Sequence, residues 1–207
     1  PFVASASGQI EYQGDELARH IDIGAGITVQ SRDSGRKLFV DVPTAAPTFV
    51  ARAGADNGGS ATVSVGHIVD PAAYAGVHPD DIVVSFPNPP GTYAVSSVDR
   101  VSGALTPLVA PTGFTLGNEL TITVAGVEVT ISGNPQPGDG FTLEADHAQP
   151  IALTVQRLAQ GLGATPDTQQ GAIERERVIA TALGDLDLAL QSLDGGDRKS
   201  TRLNSSH

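Results

Sequence analysis

The chain of 207 residues has no cysteine, no methionine and no tryptophan. Without cysteine there is no disulfide framework, so stability outside a cell would have to rest on packing alone. The missing methionine implies that Pro1 is not the natural start and that coding sequence lies upstream. Basic residues are also scarce, 12 Lys and Arg against 23 Asp and Glu, for a net charge of −11. Such a chain cannot bind nucleic acid by releasing counterions from phosphates. Anionic membrane surfaces are disfavoured for the same reason. No apolar run reaches the roughly 18 residues of a membrane-spanning helix, and no signal-peptide pattern is visible.

Aromatic residues make up only 4% of the chain, whereas glycine (24) and proline (14) are plentiful. The core is therefore expected to be built from Val, Ile, Leu and Ala, with many turns between short elements. That composition suits a β-rich secreted or surface structure better than a typical enzyme.

Short alternating runs fill the first part of the chain. Ile10 and Tyr12, Ile21 and Ile23, Ile27 and Val29, and Leu38, Val40 and Val42 each place apolar residues on one strand face. Gly14-Asp15, Gly24-Ala25-Gly26 and Asp33-Ser34-Gly35 read as turns between them. Residues 54–59, Gly-Ala-Asp-Asn-Gly-Gly, read as a flexible connector and a domain boundary. A second β region follows, carried by Val63 and Val65, Ile82 to Phe86, Tyr93 and Val95, Leu120 to Val124, Val127 to Ile131, and Phe141 and Leu143. Ala125-Gly126 joins two of these runs as a two-residue hairpin, although alanine tolerates positive φ poorly.

After Glu144 the period becomes helical. Ile151, Val155, Leu158 and Leu162 recur at helical spacing, and Gly163 is placed to end the segment. Thr165-Pro166 opens a second helix. Its apolar residues Ile179, Leu183, Leu186, Leu190 and Leu193 step by four, three, four and three residues, the spacing of a coiled-coil seam. Such a stripe calls for a second long helix to cover it; packing on the preceding sheet is the other reading. The helix from Ile173 to Asp194 would be roughly 33 Å long. The last eleven residues, Asp197 to His207, resemble one reading frame of a sequencing-adapter oligonucleotide, and they carry three of the 12 basic residues. They are set aside from fold reasoning as an artefact expected to be disordered.

These phrases, taken in order, resemble the family of flagellar hook-associated protein 3, relatives of flagellin. Pro1-Phe2-Val3 and Gly8-Gln9-Ile10-Glu11-Tyr12-Gln13-Gly14-Asp15 resemble the stretch that leads from that family's first helices into paired strands. Gly54 to Ala61 and Val69 to Tyr74 resemble the entry to an inserted β domain. Gly133-Asn134-Pro135 and Gly138-Asp139-Gly140-Phe141 resemble a hairpin and strand shared by hook-associated proteins 1 and 3. Here Ala125-Gly126 stands where the family usually has Asn-Gly. Gln149 to Leu162 and Ile179 to Leu193 resemble the helical return leg.

The resemblance implies an α+β chain of β-rich outer parts, with short antiparallel strands and one inserted β domain, beside long helices of a truncated coiled-coil or helical-bundle domain. The expected divisions are 1–53, the β part of a flagellin-like core domain; 54–146, the inserted β domain; 147–196, the helical return leg; and 197–207, the tail. It implies a structural component of the hook–filament junction, outside the cell on the bacterial flagellum and exported by the flagellar type III secretion apparatus. Partners would be copies of itself, hook-associated protein 1 and flagellin, with no nucleic acid, membrane or cofactor. Hook-associated protein 1 or a flagellin with an inserted domain, and an extracellular carbohydrate- or surface-binding β module, are the alternatives.

No enzymatic or metal site is expected. His20, His67, His78 and His147 lack ligand spacing, and no Gly-x-Ser-x-Gly elbow exists. Asp70, Asp80 and Asp81 lack the pattern of a calcium loop and read as a solvated turn. Glycines 54, 58 and 59 lack the Lys-Ser/Thr of a phosphate-binding loop. The site residues expected to matter are the five of the seam, as a helix-packing surface.

Overall fold

A computed structural model of the chain describes residues 2–4, 10–14, 17, 19–24, 26–32 and 34–204. The expected turn residues Asp15, Ala25 and Asp33, and Gly8 and Gln9 of the resembling phrase, lie outside them. The chain divides into two compact units, one of Pro1–Ser5, Ile10–Ala45 and Ala148–His207, the other of Ala6–Gln9 and Ala46–His147.

The first unit opens with two β ribbons. β1 (Phe2–Ala4) pairs with β2 (Ile10–Tyr12), and β3 (Arg19–Gly24) pairs with β4 (Ile27–Arg32), both antiparallel. Phe2, Tyr12 and Phe39 form an aromatic trio with ring centroids 5.2 to 6.2 Å apart, Phe2 packing edge-on against both others. A strand was expected through Leu38; instead α1 (Gly35–Phe39) forms there. Ser34 caps it, its hydroxyl accepting the Lys37 N–H at 3.2 Å, and a local cap of this kind overrides a weak alternation. β5 (Val42–Ala53) then carries the chain across the division at Ala45 without a break. The sequence reading sets its boundary at Gly54, just past the end of this strand.

The second unit contains β6 (Thr62–Val63), β7 (His67–Ile68), α2 (Pro71–Ala75), β8 (Asp81–Ser85), β9 (Thr92–Val98), β10 (Leu105–Gly113), β11 (Leu120–Val124), β12 (Val127–Ser132) and all but the last two residues of β13 (Gly140–Gln149). One sheet has the order β10-β9-β8-β13-β5, and a second runs β11-β12-β6 with β7 also on β12. Side chains alternate strictly between buried and half-buried along β8 and β12, the period expected of a strand with one face on a core. Phe49, Ile82, Val84, Val95, Val127, Val129, Ile131, Phe141 and Leu143 from both sheets fill that single core. Tyr74 adds its ring, and its hydroxyl donates to the Thr48 carbonyl at 2.7 Å, so the polar end of a buried residue is satisfied.

The hairpin between β11 and β12 closes at Ala125-Gly126 in the register foreseen, Val124 opposite Val127. Both turn residues have positive φ, 49° and 78°. Gly126 is required there, since a Cβ would come within 2.1 Å of the Asp70 carbonyl oxygen. Residues 54–59 are held in place rather than free: Gly54 N–H donates to the Gly140 carbonyl, and Asp139 receives Gly58 and Gly59.

The chain returns to the first unit as α3 (Ile151–Ala164) and α4 (Gln169–Asn204). The Thr168 hydroxyl accepts the Gly171 N–H and caps α4, three residues after the predicted opening at Thr165. α4 continues through Gly195, Gly196 and the tail to Asn204, where disorder was expected. That stretch has no proline to break the helix. No helix among the described residues is long and apolar enough to cross a membrane.

Candidate functional site

α3 and α4 form an antiparallel hairpin, and two contacts set its register. A Cβ on Gly161 would meet Val178 at 2.8 Å. One turn pair away, Gln149 Nε2 donates to Thr154 Oγ1 at 2.8 Å and to Asp185 Oδ2 at 3.1 Å. The inner face of α4 is thus Val178, Ala182, Asp185 and Ala189, with Ala182, Asp185 and Ala189 buried. Small residues allow the close approach of α4 to α3 and to Ala45, whose N–H donates to Asp185 Oδ1 at 3.0 Å. Burial pushes the Asp185 carboxyl above its ordinary range; the Ala45 N–H and the Arg157 charge act against that. Arg157 in turn donates to Gln149 Oε1, so every polar group in this buried cluster is matched.

The seam residues lie elsewhere on the helix. Ile179 is 41% exposed, Leu183 62%, Leu190 64% and Leu193 36%, while Leu186 is half-buried. At 100° per residue they are centred about a quarter turn from the inner face. On α3, Val155 (54% exposed) and Leu162 (38%) lie about a quarter turn from Gly161 in the same helical sense. In an antiparallel pair, equal rotations of this kind carry both stripes to the same side. Ile179, Leu183 and Leu186 on α4 and the Val155–Leu162 stripe on α3 therefore lie on one side of the hairpin along the groove, and Leu190 and Leu193 continue the α4 stripe past the start of α3. The sequence reading found each stripe separately and missed that they join. Only the register between the helices decides it.

Other candidate groups have structural duties. Asp70 caps α2, accepting the N–H groups of Ala72 and Ala73. Asp81 Oδ1 accepts the Ala145 N–H at 2.8 Å and pairs with Arg100 at 2.7 Å. Both carboxylates are thus engaged as local ties. His67 faces Glu128 at 3.6 Å. His78 and His147 stand edge to face with ring centroids 4.7 Å apart, a juxtaposition that spacing did not reveal. Burial lowers the His78 pKa, and His147 and Arg100 lower it further. No group of three or more metal-ligating side chains occurs among the described residues. The three tyrosines form no sugar platform: Tyr74 is in the core, Tyr93 packs on Phe114, and Tyr12 packs in the aromatic trio.

No family model matches this chain. No curated protein matches it either. Among solved structures it is similar to FlgL from Xanthomonas campestris, at 21% identity and a TM-score of 0.44 over 99% of this chain and 62% of that one. It is similar to the flagellar junction protein FlgL from Legionella pneumophila, at 26% identity and a TM-score of 0.44 over 99% of this chain and 63% of that one. The flagellar hook junction protein FlgK from Burkholderia pseudomallei aligns with 77% of this chain and 34% of its own, at 16% identity and a TM-score of 0.39. The chain spans less than two thirds of the length of either FlgL structure, and these flagellar junction proteins are what it is similar to.

Proposed function

We propose that this chain is part of a structural protein of the bacterial flagellum, of the hook-associated protein 3 kind, which joins hook to filament by subunit packing and has no catalytic role. The observation that carries this reading is the apolar face shared by α3 and α4. Ile179, Leu183 and Leu186 on one helix and Val155 and Leu162 on the other stand on one side of the hairpin, and Leu190 and Leu193 extend that stripe along α4. Covering each side chain would stabilise the assembly by roughly 1.5–3 kcal/mol, an upper estimate from transfer data. A long helix laid in the groove between α3 and α4 fits that face, since ridges of side chains from a third helix can enter it.

The ordered phrases that resemble the hook-associated proteins support the same reading. So does the acidic balance of the chain. In the intact parent the partners would be copies of itself, hook-associated protein 1 and flagellin, and the location would be extracellular, after export by the flagellar secretion apparatus. Leu186→Asp in the full-length parent tests the idea by placing a charge at the middle of the face. Loss of incorporation at the hook–filament junction, with folding retained by circular dichroism, is the expected result. Normal attachment of filaments in that variant overturns the proposal.

A further inference from the structure

Asn57 is followed by Gly58, and this pair has a chemistry of its own. The Gly58 backbone nitrogen can attack the Asn57 side-chain Cγ, expelling ammonia and closing a five-membered succinimide. Water then opens the ring to aspartate or isoaspartate. Glycine offers the least hindered nucleophile because it has no Cβ. The fold holds both reacting groups away from that encounter. Asn57 Nδ2 donates to the Gly140 carbonyl at 2.9 Å, and the Gly140 N–H donates to Asn57 Oδ1 at 2.8 Å. The side-chain amide is thereby clamped flat against a neighbouring backbone. The Gly58 N–H points at Asp139 Oδ1, 2.8 Å away.

Asp139 is itself 3% exposed. It also accepts the N–H groups of Gly59 at 3.2 Å and Gln136 at 2.8 Å. Burial works against its charge, but the backbone donors Gln136, Gly58 and Gly59 outweigh it and keep the carboxyl below its ordinary range. An ionised carboxylate accepting the Gly58 N–H opposes formation of the anionic nitrogen that the attack requires.

We propose that Asn57 is a deamidation site gated by the fold: succinimide forms only when residues 54–59 have left Asp139 and Gly140, and the product prevents the loop from closing again. Aspartate at 57 has no N–H to give the Gly140 carbonyl, and its charge faces that oxygen with Asp139 close by. Isoaspartate adds a methylene to the backbone and shifts the Gly58 and Gly59 donors away from Asp139. The site therefore records time spent open.

The test is peptide mapping by mass spectrometry of the full chain, held at mildly alkaline pH in native buffer and in concentrated urea. Conversion at Asn57 is expected to be at least about tenfold slower in native buffer, because reaction must await local opening. Asp139→Ala should bring the native rate towards the urea rate. Equal rates in the two solvents, or faster conversion in the folded protein, overturn the proposal. Where Asp139→Ala does not fold, Asn57→Asp tests the second half directly: a lowered midpoint of thermal unfolding supports it, and an unchanged midpoint overturns it.

Discussion

The two units of this chain solve the problem of burial differently. The Ala46–His147 unit closes a core within itself: nine large side chains are less than 2% exposed, and all of them come from its own strands. Of the large apolar side chains exposed among the described residues, only Val101, Leu105 and Leu116 belong to it. The unit that contains α3 and α4 shows the reverse. Among the described residues its buried apolar side chains are Val42, Leu153, Ala182 and Ala189, while Phe2, Ile21, Ile27, Val155, Ile173, Leu183 and Leu190 face outward. One unit buries its large side chains among its own strands, whereas the other leaves a run of them exposed. Short strands with strict alternation suffice for the first; long helices with an extra stripe are the mark of the second.

Mutations can break this contrast or sharpen it. Phe141→Ala, in the closed core, should cost about 3–5 kcal/mol, read as a lowered denaturation midpoint of the β unit by near-UV circular dichroism. Asp185→Ala should cost about 1–3 kcal/mol, because the Ala45 N–H and the Gln149 amide lose their acceptor inside the protein. Its effect should appear in the helical signal and leave the β unit's transition in place. Ala125→Gly should stabilise the β unit by about 0.5–1 kcal/mol, since glycine adopts the left-handed turn conformation without strain, as urea titration would show. Leu190→Ala should change the stability of the isolated chain by no more than about 0.5 kcal/mol, yet weaken assembly of the parent protein. A large loss of stability in that variant would show that the seam is covered within the chain.

Acid should separate the units by sign. His78 has a lowered pKa, so the unfolded chain binds its proton more readily. The β unit is then expected to weaken as pH falls through and below the ordinary imidazole value, with His78→Gln flattening that slope. Asp185 has a raised pKa, so the folded chain binds its proton more readily. Its contribution to the helical unit should rise as pH falls through the folded carboxyl's range. Unfolding followed by separate β and helical signals between neutral and mildly acid pH checks both directions.

Much of the β unit was readable in advance because alternation has a period of two, and the strands through Val84, Val129 and Phe141 follow it. The hairpin at Ala125-Gly126 was found from its length alone, against the turn preference of alanine. α1 was missed because a capping hydroxyl at Ser34 outweighs three alternating residues. The connector at 54–59 was read as flexible from its glycines, yet Asp139, some eighty residues away, supplies the acceptor that pins it. The tail is set aside on resemblance, and α4 runs on through it to Asn204.

Local pattern alone therefore determined the period of the β unit's strands and of α3 and α4, the acidic balance and the leucine spacing from Ile179 to Leu193, because these depend only on neighbours along the chain. Which side each stripe takes was decided by tertiary structure. The close approach of Gly161 to Val178 and the Asp185 cluster set the register between α3 and α4. That register carries two separate stripes to one side, because rotations in an antiparallel pair add to a common face only when both helices meet along matching lines.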